Sequence, residues 1–246
     1  GSMHGTGFSS HDRLMTMNRD ECWRLLSLAV HELRTPVTVV AGYLRMLLKM
    51  HPGLGDQPRK LVEDAERSCA RLADLIAELS EVSNLEAGHI TLERHDIDLF
   101  ALVAEVADSA REGADRGVRL EVQRTDQRAL VSGDRKYLRG ALEALVTATL
   151  REHAQPGVIV ASCGVQGTND GTLAYVVIAP REDRGDQTTF RAAEWAPFER
   201  WRGGLGFRLV LAHQVIAAHG GSLFSGLGAK ERAACALTLP IKEPQS

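Results

Sequence analysis

Two long apolar repeats separated by a short break are the feature that most constrains this fold. Between about Asp20 and Met50, apolar residues recur at steps of three and four, and a second such run extends from Leu61 to Val82. This spacing is typical of amphipathic helices. The break at residues 51–56 contains a proline and two glycines, which end helices. The sequence therefore predicts two long helices joined as a helical hairpin.

A hairpin of this kind has no place of its own in which to bury both apolar stripes. Pairing two hairpins into a four-helix bundle buries them, so the sequence predicts a homodimer. The stripe of the first helix is predicted to comprise Cys22, Leu26, Ala29, Leu33, Val37, Val40, Leu44 and Leu47.

The remainder of the chain has a mixed pattern. After a connector at residues 83–99, helical patterns cover 99–114, 134–152 and 205–218, and strand patterns cover 118–122, 157–163, 172–179 and 233–239. We therefore expect an α+β protein of two domains, a dimeric four-helix-bundle hairpin followed by an α/β sandwich with helices on one face of a mixed sheet. The expected divisions are 1–17 for a tag and flexible N-terminus, 18–88 for the hairpin, 89–98 for the connector and 99–242 for the sandwich.

Composition excludes several classes of protein. The formal net charge of -3 argues against a general nucleic-acid partner. The four cysteines are far apart and form no CxxC pair, so no metal site or disulfide framework is predicted. The longest apolar runs are too short to span a bilayer, and no signal peptide precedes them. We expect a fragment, because Gly1-Ser2-Met3 resembles a cloning scar. We expect this fragment to be cytoplasmic, while the full-length protein can carry a membrane anchor.

The first helix carries a candidate nucleophile at His31. Ala29 and Leu33 lie on the predicted buried stripe, and His31 is two residues from each. At the rotation of an α-helix it points roughly 160° away from both, toward solvent. A titratable imidazole held on a rigid exposed face can act as a nucleophile at neutral pH.

The residues that follow His31 supply further candidate catalytic groups. Glu32 can accept the ring proton or orient the ring. Arg34 and Thr35, at i+3 and i+4, project from the same helix face as His31. Pro36 removes the helical hydrogen bond to the carbonyl of Glu32 and is expected to kink the helix beside the reactive residue.

The string His31-Glu-Leu-Arg-Thr-Pro36 resembles the phosphoacceptor box of the sensor histidine kinases of two-component systems. The resemblance implies that His31 takes the γ-phosphoryl group of ATP and passes it to an aspartate in the receiver domain of a response regulator. It further implies that Glu32 assists phosphoryl transfer, and that Thr35 positions water for dephosphorylation of the regulator.

Residues 99–241 resemble the ATP-binding domain of the same family, with a phenylalanine box at 195–201, a glycine-rich phosphate loop at 203–209 and a His-Gly-Gly turn at 219–221 that leads into a strand. The resemblance implies ATP and Mg²⁺ as cofactors. The nucleotide-contacting positions that it assigns are Gly204, Gly206 and Arg208. Asp183 and Gly185 are either part of a simple polar loop or a shifted partial copy of the adenine motif.

Three nucleotide motifs depart from the family pattern. Ala144 and Ala148 replace two asparagines of the magnesium-binding helix, and a methyl group offers no oxygen to Mg²⁺. Glu143 or Thr147 can substitute as a ligand, although each is one residue, roughly 100° of helix rotation, away. Pro180-Arg181 stands where the family has the adenine-recognising aspartate, although Asp183-Arg-Gly185 follows shortly after. Arg208 replaces the third glycine of the phosphate loop and obstructs the approach of phosphates to the backbone, although its cation can attract an anion. We therefore expect ATP binding to be impaired.

Three functions remain open, and with them the enzyme class. His31 can exchange phosphoryl groups with a response regulator by phosphotransfer or phosphatase chemistry, with an upstream or sister kinase as the phosphoryl source. The chain can instead be an ATP-dependent autokinase with altered nucleotide ligands. It can also be a non-catalytic pseudokinase scaffold. ATP affinity with and without Mg²⁺ separates the first two, and the effect of His31→Ala on signalling tests the third.

Overall fold

The computed structural model describes residues 19–51, 53, 55–123, 125–169, 171–181, 191–192, 195–198, 205–226 and 234–242. The chain divides into two compact units, with the boundary between Ile90 and Thr91. We call them the hairpin unit and the sheet unit. Asp183, Gly185 and Gly204, which the sequence assigns to the nucleotide region, lie outside the described residues.

The hairpin unit consists of two long helices, α1 (Arg19–Met50) and α2 (Asp56–Glu86). Helix α1 continues through Pro36. Helix α2 begins with Asp56, whose carboxylate is favourable near the positive end of the helix dipole. Arg45 and Glu66 form a cross-helix ion pair with Nε and Oε1 2.9 Å apart. The predicted helical hairpin is confirmed.

The hairpin of a single chain does not bury the whole predicted stripe of α1. Val30 and Ala41 are buried, whereas Ala29 is exposed and Leu33 is 52% exposed within the single chain. Val30 is one residue, about 100° of helix rotation, from Ala29, so the face buried within the chain is turned from the predicted stripe. The large apolar side chains exposed on the hairpin are Leu28, Leu33, Val39, Val40, Tyr43, Met46, Leu47, Met50, Leu61 and Leu72.

The sheet unit contains two β-sheets. Strand β1 (His95–Asp98) pairs antiparallel with β3 (Leu130–Gly133). The strands of a second, six-stranded sheet are β2 (Val118–Val122), β4 (Gly157–Thr168), β5 (Gly171–Pro180), β6 (Ala196–Pro197), β7 (Ser222–Ser225) and β8 (Cys235–Pro240). They lie in the order β2-β4-β5-β8-β7-β6, in which the β2–β4 pair is parallel and the other pairs are antiparallel.

Three α-helices are described in the sheet unit, α3 (Leu99–Ser109), α4 (Arg135–Glu152) and α5 (Arg208–Ala218), with a 3₁₀ turn at Ala114–Arg116. Asp98 caps α3 by accepting hydrogen bonds from the backbone N–H groups of Phe100 and Ala101. Asp134 caps α4 in the same way. Capping satisfies amide donors that the first turn of a helix leaves unpaired. The two-domain α+β fold is therefore confirmed.

Both faces of the central sheet contribute to the core. On one face, the Thr149 hydroxyl of α4 lies 3.5 Å from the Cys235 thiol, and Cys235 pairs with Ile178. Because side chains alternate along a strand, Val177 and its partner Ala236 face the other way. There they join a buried cluster against which Trp195 and Phe224 pack.

Several element boundaries differ from the sequence prediction. Helix α2 ends at Glu86, within the predicted hairpin at 18–88, whereas residues 95–98 of the predicted connector form β1. Strand β1 has Ile97 as its only large apolar residue, so apolar periodicity gives no signal there. Helix α5 begins at Arg208 because Gly206, with φ of 63°, adopts a left-handed conformation that precludes a helical start at 205. No helix in the described part of the chain is both long and apolar enough to span a membrane.

Candidate phosphoacceptor site and nucleotide region

His31 lies in the middle of α1 with its side chain 79% exposed. The preceding residue, Val30, is buried, so the backbone that carries the imidazole is held in the packed part of the hairpin. The Glu32 carboxylate Oε1 lies 3.9 Å from His31 Nδ1. A carboxylate on that side favours a proton on Nδ1 and leaves the lone pair of Nε2 available to an incoming electrophile.

Arg34 and Thr35 are exposed one helical turn beyond His31. The Thr38 hydroxyl donates a 2.8 Å hydrogen bond to the Arg34 carbonyl, which satisfies a backbone acceptor within this turn. Pro36 has no N–H to give to the carbonyl of Glu32, so this acceptor stays without its helical donor beside the imidazole. The structure thus brings all four predicted catalytic side chains onto one exposed stretch of α1.

The magnesium-helix positions of α4 are filled with buried methyl groups. Ala144 is 1% and Ala148 is 0% exposed. Of the neighbouring oxygen-bearing side chains, Glu143 accepts from Arg139 Nε at 2.9 Å and Thr149 donates to the Leu145 carbonyl at 2.9 Å, while Thr147 lies one residue, about 100° of helix rotation, from Ala148. These residues do not fit the oxygen ligand set that Mg²⁺ requires. Within the described residues, no three His, Cys, Asp or Glu side chains are grouped so that they could hold a metal ion.

The end of β5 carries a positive side chain where the family has an acid. Pro180 is the last residue of the strand, and Arg181 follows with its guanidinium paired to the Glu121 carboxylate of β2. An ion pair at this edge presents no unpaired carboxylate to an adenine amino group. Asp183 and Gly185, the predicted shifted copy, cannot be placed because they fall in the undescribed residues 182–190.

The described part of the phosphate loop leads into α5. Gly206 has the left-handed backbone conformation, and Arg208 is the half-buried first residue of the helix. Its N-cap residue, Phe207, makes no side-chain capping hydrogen bond. Backbone N–H groups at a helix N-terminus favour anions, and Arg208 adds a cation beside them. The described residues therefore retain anion-binding chemistry at this one position.

Sequence reasoning missed a buried polar cluster around His219. The ring is 4% exposed, its Nε2 accepts a 3.0 Å hydrogen bond from the Asp134 backbone N–H, and its Nδ1–H donates to the Val215 carbonyl at 2.6 Å. The His-Gly-Gly turn is visible in the sequence, but the 85 residues between His219 and Asp134 hide the pairing.

Comparison with known proteins places this geometry in a family. Residues 24–88 match the model of the His Kinase A (phospho-acceptor) domain. The chain is 29% identical over 78% of its length to the sensor protein DivL of Caulobacter vibrioides and covers 24% of that protein. It is 24% identical over 79% of its length to the sensor protein VanS of Enterococcus faecium and covers 51% of it. The chain thus spans between a quarter and about half of these relatives.

Solved structures agree at the level of the fold. The crystal structure of full-length ShkA in complex with AMPPNP matches with a TM-score of 0.67 at 21% identity, over 91% of this chain and 47% of that one. Histidine kinase ThkA, in complex with the response regulator TrrA, matches with a TM-score of 0.55 at 19% identity, over 94% of this chain and 64% of that one. Both structures share with this chain the fold of a helical hairpin followed by a mixed-sheet domain. Residues 24–88 match a phospho-acceptor domain, and over most of its length the chain is similar to sensor histidine kinases.

Proposed function

We propose that this chain is a phosphotransfer and phosphatase core in which His31 exchanges phosphoryl groups with an aspartate of a response-regulator receiver domain. The observation that supports this most directly is the exposed imidazole of His31 with a carboxylate 3.9 Å from its Nδ1. Glu32 orients the ring and stabilises the charge that develops on it. The complex of ThkA with its regulator is a precedent for this kind of partner.

The transfer step needs only groups on the hairpin and on the regulator. The Nε2 lone pair of His31 attacks phosphorus and forms a P–N bond, while the P–O bond to the regulator aspartate breaks and the carboxylate departs with the electron pair. The reverse reaction loads the regulator. Arg34, one turn from His31, stabilises negative charge on the moving phosphoryl oxygens.

Dephosphorylation uses the same surface with water as the nucleophile. Thr35 lies four residues beyond His31 on the same exposed face, where its hydroxyl can hydrogen-bond a water molecule. Water oxygen then forms the new bond to phosphorus, the bond to the regulator aspartate breaks, and a proton is released to solvent. Phosphotransfer depends on His31, whereas hydrolysis depends on Thr35.

The sheet unit binds Mg²⁺-ATP weakly in this proposal. Buried Ala144 and Ala148 supply no metal ligand, and Arg181 pairs with Glu121 at the edge where an adenine acceptor is expected. Losing one hydrogen-bond partner of a buried polar group costs about 1–3 kcal/mol, and about 1.4 kcal/mol corresponds to tenfold in affinity. Phosphoryl groups then come from an upstream or sister kinase.

Exposed apolar rows on α1 support a homodimer and a partner surface. Leu33, Val40 and Leu47 recur every seven residues and lie roughly 160–200° round the helix from His31. We assign this row, together with Leu72 of α2, to the dimer interface. A second exposed row lies roughly 60–120° round the helix from His31 and consists of Val39, Tyr43, Met46 and Met50. This position suits the docking of a response regulator, because the aspartate of the regulator must reach the imidazole.

The phosphotransfer test uses a phosphorylated receiver domain or an active upstream kinase as donor. The protein should acquire an acid-labile, base-stable phosphoryl group that His31→Gln removes. Thr35→Ala should retain labelling and slow dephosphorylation of the regulator, which makes it the matched control on the same helix face. Persistent labelling of His31→Gln would show that the nucleophile is another residue.

Two further measurements separate the competing functions. Micromolar ATP binding that strengthens with Mg²⁺, accompanied by labelling of His31 from ATP alone, would favour an autokinase. Regulator binding without any phosphoryl exchange would favour a scaffold. Light scattering tests the dimer, since Leu33→Asp combined with Leu72→Asp should give monomers.

A further inference from the structure

We propose that His219 is a proton-sensitive latch that fastens the segment at Glu93 and Arg94 to the start of α4 and the end of α5. The cluster lies wholly in the sheet unit, and none of the roles proposed above uses it. The latch is closed when the imidazole is neutral and opens when the ring takes up a second proton.

The hydrogen bonds of His219 fix one neutral tautomer. Because Nε2 accepts from the Asp134 N–H at 3.0 Å, the ring proton must sit on Nδ1, which donates to the Val215 carbonyl at 2.6 Å. The ring has little room to move, since a Cβ added to Gly133 would lie 2.9 Å from its Cδ2. Both ring nitrogens are therefore engaged in roles that only this tautomer can perform.

Asp134 connects the imidazole to the preceding segment. Its Oδ1 caps α4 by accepting from the N–H groups of Lys136 and Tyr137, while its Oδ2 accepts from the Glu93 N–H at 3.1 Å. His219 thus accepts a hydrogen bond from the backbone N–H of Asp134. The carboxylate of the same residue caps α4 and accepts from the N–H of Glu93.

Arg94 makes a second attachment beside the ring. Its guanidinium donates to the Ala218 carbonyl at 2.5 Å, adjacent to His219, and to the Ser132 carbonyl at 3.3 Å. The incoming segment is consequently tied to α5 through Arg94 and to α4 through Asp134. These two residues are the charged groups in the described chain that act on the ring, one from the segment before β1 and the other from the start of α4.

A second proton on the ring is incompatible with this arrangement. Protonated Nε2 would point a donor at the Asp134 N–H, and the imidazolium would lie near the Arg94 guanidinium. Burial lowers the pKa of His219 below its ordinary 6.5, and Arg94 lowers it further, while the Val215 carbonyl and Asp134 oppose the shift. The latch is therefore closed at neutral pH, and it opens as the pH falls through the lowered pKa.

The segment at residues 93–94 is where the chain enters the sheet unit, immediately before β1. Opening the latch would release the Glu93 N–H and weaken the cap of α4 without disturbing the central sheet. Acidification would in this way loosen the attachment of the entering chain, which makes the cluster a pH sensor within the fold.

Amide hydrogen exchange on the ¹⁵N-labelled chain tests this between pH 7.5 and 5, with rates corrected for intrinsic exchange. Protection of the Asp134 amide should fall about tenfold or more as the ring protonates, because its buried acceptor becomes a donor, and protection of the Glu93 amide should fall with it as the Asp134 carboxylate is displaced. Amides of β5 should keep their protection. In His219→Gln, the side-chain oxygen can accept from Asp134 but cannot titrate, so protection should become independent of pH in this range.

Two more variants sharpen the reading. Arg94→Gln removes the neighbouring cation, so the midpoint of the loss should move to higher pH. His153→Gln, at a half-buried histidine elsewhere in the sheet unit, should leave the profile unchanged.

If His219→Gln does not fold, the ring ¹⁵N shifts of the unmodified protein show whether the loss of protection follows the titration of His219. Protection that stays constant while the ring titrates, or a pH dependence that survives in His219→Gln, would overturn the proposal.

Discussion

Replacing Ala148 with asparagine puts the family residue back into α4. It tests whether position 148 belongs to the packed core of the sheet unit and not to a magnesium site. Ala148 is 0% exposed, and its neighbour Thr149 is hydrogen-bonded to Leu145 and in contact with Cys235. If the position is part of the packed core, an amide there has neither room nor partners. We therefore expect Ala148→Asn to destabilise the sheet unit and not to create a magnesium ligand.

The expected cost is the sum of three terms. Burying an unpartnered amide costs about 1–3 kcal/mol by mutational data. Overfilling a packed core costs about 1–3 kcal/mol more, and exchanging alanine for asparagine within a helix costs about 0.5 kcal/mol. The total of about 2–6 kcal/mol is a large part of the roughly 5–15 kcal/mol that stabilises a typical domain.

Urea unfolding, with calorimetric titration of Mg²⁺-ATP on the same sample, measures both consequences. The matched control is Gly140→Asn on an exposed part of α4, where an added Cβ meets nothing within 4 Å. Its stability should change by no more than about 0.5 kcal/mol. If Ala148→Asn kept the parent's stability and gained Mg²⁺-dependent ATP binding, residue 148 would line an open nucleotide cleft and our reading would be wrong.

Three further substitutions or reactions test local features of the sheet unit. Gly140→Ala should raise the free energy of unfolding by about 0.5–1 kcal/mol in urea, because the exposed helix gains a better helix former with no steric conflict. Burial, followed by the nearby Asp98 carboxylate, raises the pKa of the Cys163 thiol to about 12, so the native thiol should react with Ellman's reagent only slowly even at pH 9. Labelling of native Cys163 as fast as that of a free thiol would contradict this assignment. Asp98→Ala should cost about 0.5–2 kcal/mol by removing the cap of α3 and should also lower the Cys163 pKa, both measurable by urea unfolding and thiol titration.

The elements that the sequence predicted well are those with long or regular apolar patterns. The two hairpin helices show a repeat over about thirty residues each, and β5 is a continuous buried run. Strands β1 and β3, of four residues each, were missed because pairing with each other, rather than their own composition, defines them. The apolar residues of α1 cover more of the helix than one partner helix can bury, so part of the predicted stripe stays exposed in the single chain.

The candidate sites differ in predictability for a related reason. His31, Glu32, Arg34 and Thr35 lie within five residues of one helix, so helix geometry alone predicts which of them share a face. The contact of His219 with Asp134 and the pairing of Arg181 with Glu121 join residues 85 and 60 positions apart. Such contacts depend on sheet order and helix packing, which local periodicity does not contain.

The nucleotide region shows a consistent physical pattern at the described positions that depart from the family. Methyl groups at 144 and 148 are packed away from water, and the guanidinium of Arg181 is neutralised by Glu121. A ligand site that has lost its ligand normally leaves polar groups unpaired, at a cost of about 1–3 kcal/mol for each one that is buried. Here the replacements are apolar or already paired, so the sheet unit does not need a nucleotide to satisfy them. If ATP binds as weakly as the proposed function requires, it should add little to the stability of the sheet unit, because a ligand stabilises by RT ln(1 + [L]/Kd). This is the energetic condition under which a kinase-like domain can persist as a support for phosphotransfer at His31 rather than as its source of phosphoryl groups.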